Sequence, residues 1–203
     1  MRKIITIVAG LLCAFTAGAA DTEAILKKLE TTNVAYTSIV CQFTQTRTLP
    51  NKTQSTLEGD LYYKAYDQFA MIYTNPATDR LIIDGNNLYL NRGGKVSKFD
   101  LSKSAAIYNL SASLLQATTG MIKQLAAANN ADYSVSEDSK YYTVTITAKQ
   151  KAVKGYAKIV LNYRKSDCIL EVMEMEEFTH INNVYRMNSV KKNVAVDDSV
   201  FKF

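Results

Sequence analysis

Gly59-Asp60-Leu61-Tyr62-Tyr63-Lys64, then Phe69, then Thr74-Asn75-Pro76, then Leu81-Ile82-Ile83-Asp84-Gly85-Asn86-Asn87-Leu88-Tyr89: the stretch from Gly59 to Leu90 decides the fold. Apolar and polar residues alternate through it, and Pro76 and Asp84-Gly85 mark turns, so it predicts successive antiparallel strands. One face is polar and the other is aromatic and aliphatic. No catalytic group interrupts the apolar face. A wall of this kind is either a packed core or a binding surface for an apolar guest.

The same alternation extends in both directions. Asp21 or Thr22 can cap a short helix carrying Ile25, Leu26 and Leu29, ending near Asn33. Strands are expected at 38–49, 55–64, 68–75, 79–84, 87–92 and 96–101, with Gly93-Gly94 as a hairpin turn. From Ser111 to Ala128 the period becomes helical, with Leu114, Leu115, Thr118, Met121, Ile122 and Leu125 on one face and Ser111 as the cap. Strands resume at 133–137, 141–148, 156–164, 169–175, 184–194 and 200–203. The pattern fits one curved or closed antiparallel sheet, without linker or internal repeat. Inward positions are Phe43, Leu61, Tyr63, Phe69, Met71, Tyr73, Leu81, Ile83, Leu88, Leu90, Val144, Ile146, Ile159, Leu161, Tyr185 and Met187. A helix inserted midway through the strands can lie across the sheet mouth as a lid, and Met and Tyr are adaptable liners for a variable guest.

Arg2 and Lys3 precede an apolar run, Ile4 to Ala19, that ends in small residues before Asp21. This is the pattern of a cleaved secretory signal over residues 1–20, cut after Ala19 or Ala20. Residues 21–203 form one domain of ordinary size. Losing Arg2 and Lys3 takes the formal charge from +5 to about +3, too little to argue for nucleic acid. Lys149, Lys151, Lys154 and Lys158 make a local basic run, expected as a solvated loop. Cys41 and Cys168 remain after cleavage. Export permits a disulfide, but their apolar surroundings suit free thiols as well.

The chain carries little chemistry. His180 is the only histidine and lies in a turn. There is no His/Cys metal spacing, nucleophile elbow, phosphate loop or dinucleotide fingerprint. Glu174 and Glu176 share the wet face of a strand, and Asp197-Asp198 lies in a turn. An enzyme is not expected, and no cofactor is implied.

The ordered pieces resemble the LolA-type periplasmic lipoprotein carriers. They are Phe43-Thr44-Gln45 after a short helix, the Gly59 to Tyr89 block, and Asp197-Asp198-Ser199-Val200-Phe201-Lys202-Phe203 at the end. The resemblance implies an incomplete antiparallel β-barrel, a mainly β (α+β) fold, whose helices form a lid over an apolar cavity. It implies a monomeric periplasmic carrier that shields the acyl chains of lipoproteins, or related lipid-linked cargo. An inner-membrane ABC transporter would release that cargo for delivery to an outer-membrane acceptor. The alternative of the same fold is a lipid-sensing periplasmic regulator, though such regulators carry a second domain.

The expected acyl-binding wall is Phe43, Leu61, Tyr63, Phe69, Met71, Tyr73, Ile83, Leu88 and Leu90, with Tyr89. The expected lid face is Leu114, Leu115, Met121 and Ile122. By resemblance, Phe69 stands near the cavity mouth, and Met71 and Tyr89 replace common tryptophans. Ala65-Tyr66 replaces an Arg-Pro whose Arg bonds the lid shut. With Ala65, the lid is expected to rest more open.

Overall fold

The structure, a computed structural model, describes residues 17–65, 67–75, 77–103, 113–152 and 155–202. The expected signal head (1–16), Tyr66, Pro76, the Ser111 cap, Lys154 and Phe203 lie outside these residues. Helix α1 (Ala17–Val34) is followed by β1 (Ser38–Thr48), β2 (Gln54–Lys64), β3 (Gln68–Asn75), β4 (Arg80–Asp84), β5 (Asn87–Arg92) and β6 (Lys95–Asp100). Two helices follow, α2, described over 113–119, and α3 (Ile122–Ala128). Then come β7 (Ala131–Glu137), β8 (Tyr141–Ala148), β9 (Tyr156–Arg164), β10 (Leu170–Glu177) and β11 (Asn182–Lys192).

All eleven strands form one antiparallel sheet in the order β6-β5-β4-β3-β2-β1-β11-β10-β9-β8-β7. Each half is a meander, and the two meet only where β1 pairs with β11. The edges β6 and β7 do not pair with each other, so the sheet is an incomplete barrel. One large apolar cluster joins inward residues from both halves to Leu26 and Leu29 of α1, Leu114 and Ala117 of α2, and Ile122, Leu125 and Ala126 of α3. The helices therefore cover one side of the sheet.

Local chemistry explains the departures from expectation. The 111–128 segment is not one helix. Gly120, at φ +70°, ends α2 and lets α3 start in a new direction. The turn also needs the missing side chain, because a Cβ on Gly120 would stand 2.9 Å from the Leu29 carbonyl. Helix α1 starts at Ala17, ahead of the expected Asp21 cap, since the alanine-rich residues before it favour helix. The last segment is not a strand. Asp197 accepts from the Ser199 amide at 2.8 Å and starts a 3-10 turn, Asp198–Phe201. That turn lays Phe201 on the outer face, against Ala70 and Ile82. At the join of the halves, β11 carries a bulge at Ser189, φ +53°. Cys41 and Cys168 are both free and buried. Burial pushes the Cys41 thiol up to about 12, with a smaller contribution from Asp60, so it packs as a small hydrophobe.

Candidate functional site

The concave wall is assembled by register. Ile39, Tyr63, Phe69, Ile83, Leu88 and Phe99 stand in one row across β1 to β6. Cys41, Leu61, Met71, Leu81 and Leu90 form the next. The third is Phe43, Gly59 and Tyr73. Gly59 is required there, since a Cβ would stand 2.4 Å from the Ile72 carbonyl oxygen and 2.7 Å from the Phe43 ring. The other half supplies Met187, Met173, Leu161 and Val144, and beside them Met175, Ile159 and Ile146. Every inward residue expected from the alternation lies in this cluster or packs against it.

Tyr89 does not join the wall. Its neighbours Leu88 and Leu90 point inward, so Tyr89 points outward and packs in the Phe201 cluster, with Lys98 Nζ 4.9 Å from its ring centroid. Phe69 is on the wall but not at a rim, being 1% exposed between Tyr63 and Ile83. Of the lid residues, Leu114 and Ile122 are buried against the wall, while Leu115 and Met121 are half-buried.

The cover is shut. Between α2 and the wall lies a void of about 10 Å³ lined by Ile39, Cys41, Leu61, Thr118, Ile169, Leu170, Met187 and Val190. That is barely room for one water, against roughly 300–1,000 Å³ for a ligand pocket. The described part of the expected cover, 113–128, thus lies packed against the wall at this point. Ala65 donates its amide to the Thr37 carbonyl. The hold comes instead from Tyr163, an inward residue of β9 whose hydroxyl donates to the Ala117 carbonyl at 2.6 Å. Tyr163 is 0% exposed, and burial pushes its phenol far above the usual range, so the donor proton is always present. Further ties link the helices to one another, Lys123 to Glu23 at 2.6 Å and Asn129 Nδ2 to Ser113 Oγ at 2.9 Å. The alternation Ile159, Leu161, Tyr163 signalled that Tyr163 points inward; its partner on α2 had no signal in the sequence.

Among the described residues no cluster of His, Cys, Asp or Glu could hold a metal. His180 is exposed in a positive-φ turn, 4.0 Å from Glu176. No described helix is long and apolar enough to cross a membrane.

A family model described as outer membrane lipoprotein carrier protein LolA matches residues 35–203. The search of curated protein sequences gave no match. Among solved structures, an uncharacterized conserved protein from Thermus thermophilus is 8% identical with a TM-score of 0.56, covering 90% of this chain and 94% of that one. A DUF1329 family protein from Desulfovibrio piger is 10% identical with a TM-score of 0.53, covering 92% and 98%. The MucA/MucB complex of Pseudomonas aeruginosa gives 11% identity and a TM-score of 0.51, covering 90% of this chain but 61% of that one. At such identities these structures bear on the fold alone.

Proposed function

Because the chain belongs to the LolA family of outer membrane lipoprotein carrier proteins, we propose that it shields the acyl chains of lipoproteins or related lipid-linked cargo. It receives them at the inner membrane and yields them to an acceptor at the outer membrane, working in the periplasm after loss of its signal segment. It binds and releases, and catalyses nothing. The observation that carries this reading is the unbroken apolar wall under a separate helical cover, with an internal hydrogen bond between them.

The energetics suit a carrier. Each methylene taken out of water contributes about 0.8 kcal/mol, so a long acyl chain left in water costs on the order of 10 kcal/mol. The wall and the inner face of the cover offer equivalent apolar surroundings to a chain inserted between them. In the empty protein those two surfaces satisfy each other. Loading exchanges one apolar contact for another, so cargo is held without being trapped and no ATP is needed at this step.

The test is a neutral solvatochromic dye such as Nile red. It should bind the folded protein saturably and be displaced by palmitoyl compounds. Mass spectrometry of protein purified from its own cells should find acylated material. A folded protein that binds neither dye nor palmitoyl chain would refute the reading.

A further inference from the structure

Beyond Phe43 the concave wall changes character. The alternation of β1 continues through Gln45 to Arg47, and that of β11 runs from Met187 through Tyr185 to Asn183. Register sets Gln45 opposite Tyr185 and Arg47 opposite Asn183. Tyr73 of β3 packs edge-on against the Phe43 ring with centroids 5.1 Å apart, and Tyr185 lies 6.3 Å from the same ring. The Tyr73 hydroxyl donates to Gln45 Oε1 at 2.8 Å, and Gln45 Nε2 donates to Asn183 Oδ1 at 2.8 Å. Gln45 and Asn183 are buried, while Tyr73, Tyr156 and Tyr185 are half-buried at the rim. Burial raises all three phenols; Glu177 adds to the rise at Tyr156 and Asp79 at Tyr73, while Arg92 opposes it at each of the three. Arg92 lies two residues past the inward Leu90 on β5, and Asp79 accepts from the amides of both Tyr73 and Gly93, which brings the end of β5 to this rim.

The hydrogen-bond inventory gives this rim a direction. The two amide oxygens, Gln45 Oε1 and Asn183 Oδ1, are already taken within the chain. The nearby carboxylates are engaged by local turns: Asp79 accepts from the Gly93 amide at 2.8 Å, and Glu177 from Thr179 Oγ1 at 2.9 Å. The further groups there are mainly donors, namely the exposed guanidiniums of Arg47 and Arg92, the Asn183 amide nitrogen and the Tyr156 hydroxyl. Buried amides on an otherwise apolar wall carry a desolvation cost that a purely packed core has no need of. A donor-rich rim at the end of an apolar wall is complementary to an amphiphile, with the chain on the wall and an acceptor-rich head at the rim.

We propose that the rim formed by Arg47, Tyr73, Arg92, Tyr156, Asn183 and Tyr185 is a headgroup subsite, selecting acyl cargo whose head carries an anionic phosphate or carboxylate. This rests on the carrier reading and adds to it a preference among cargoes. Gln45 is a positioning residue, holding Tyr73 and Asn183 in place from below. Arg47 and Arg92 supply the charge, and the bonds they would make to an anion are of the charge-assisted kind.

The experiment displaces Nile red with three ligands sharing one palmitoyl chain: palmitate, palmitoyl lysophosphatidylglycerol and uncharged monopalmitoylglycerol. An Arg47→Ala/Arg92→Ala variant is compared with the native chain. At least one anionic probe should bind the native protein roughly tenfold more tightly than monopalmitoylglycerol, an advantage that added salt erodes. The variant should keep its melting temperature and its affinity for monopalmitoylglycerol while losing the advantage. Which anionic probe gains more identifies the head as carboxylate or phosphate. Equal binding of all three by the native chain, or an advantage that survives in the variant, would overturn the subsite and leave the carrier reading standing. Inorganic phosphate at millimolar concentration abolishing the advantage of palmitoyl lysophosphatidylglycerol while binding equally well alone would overturn the amphiphile form of the proposal. Failure of every palmitoyl probe would overturn both readings.

Discussion

Phe69 sits in the row Ile39, Tyr63, Phe69, Ile83, Leu88, with one cross-strand neighbour on each side and 1% of its surface exposed. Among the described residues its row neighbours carry no charge to pair with a carboxylate. Phe69→Glu would remove the ring and leave an acid that must either stay unpaired or protonate. We expect a loss of about 3–5 kcal/mol or more, comparable to truncating a buried Phe, and hence a protein largely unfolded in mild urea. Phe69→Leu keeps the apolar character and should lose no more than about 1.5 kcal/mol. Urea unfolding followed by circular dichroism decides the matter. A Phe69→Glu variant of native stability would mean that position 69 reaches water, contrary to this geometry. Gly59 shows the same close fit from the other side: the Phe43 ring fills the space its side chain would take, so the pair forms one packing unit across β1 and β2.

At the level of elements, the question is what holds the cover down. Helix α2 ends at Gly120. The Ala117 carbonyl accepts from the Gly120 amide at 3.3 Å and from the Tyr163 hydroxyl at 2.6 Å. Tyr163→Phe removes the second bond and almost nothing else, since the ring remains. A buried hydrogen bond of this type contributes about 0.5–1.5 kcal/mol net. Amide exchange across 113–128 should therefore quicken by roughly two- to tenfold, with the strands unaffected and Nile red entering faster. Unchanged exchange in the cover with unchanged dye entry would show that apolar contacts alone keep it shut. The strands were legible because their period of two is unambiguous and their turns are marked by Gly, Pro and Asp. The break at Gly120 was harder to see, because the apolar positions keep helical spacing on both sides of it. Its glycine answers to α1, far away in sequence. The final 3-10 turn departs from expectation for a related reason. The alternation of Val200, Lys202 and the phenylalanines fits a strand, but Asp197 caps a turn and Phe201 has a ready site on the outer face.

The molecule as a whole is an open sheet whose two halves share the β1–β11 ladder and a common apolar interior, so the ends of the barrel matter to its integrity. The apolar wall was legible in the sequence because each inward residue repeats on its own strand. The polar rim was not, because Gln45, Tyr73 and Asn183 meet only once β1 has β3's tyrosine on one side and β11 on the other. The far end carries a charged stitch that was equally invisible. Asp167, in the turn between β9 and β10, accepts from Arg164 at 2.8 Å and from Lys192 of β11 at 3.0 Å, and the Tyr36 hydroxyl donates to its carbonyl at 2.9 Å. Glu171 accepts from Lys140 at 2.9 Å and from Tyr141 at 2.6 Å, tying β10 to β8. Burial alone would raise both carboxyls, but these bonds outweigh it and hold both below the ordinary carboxylate range. A carboxyl whose folded value is depressed binds its proton more weakly in the native than in the unfolded chain. Its stabilisation is thus complete above the unfolded value near 4 and is lost as pH falls through the folded one. Both side chains are part-buried, but the lysines that meet them are more exposed, so solvent screens the pairs and each contribution is modest. The melting temperature should accordingly be flat near neutrality and fall below about pH 4. Asp167→Asn should melt lower than the native chain at pH 7, and the gap should shrink as pH falls below about 4 towards the depressed folded value of Asp167. A gap that stays constant however far the pH is lowered would mean that Asp167 acts through its shape and neutral hydrogen bonds, and that the acid limb originates in other carboxylates.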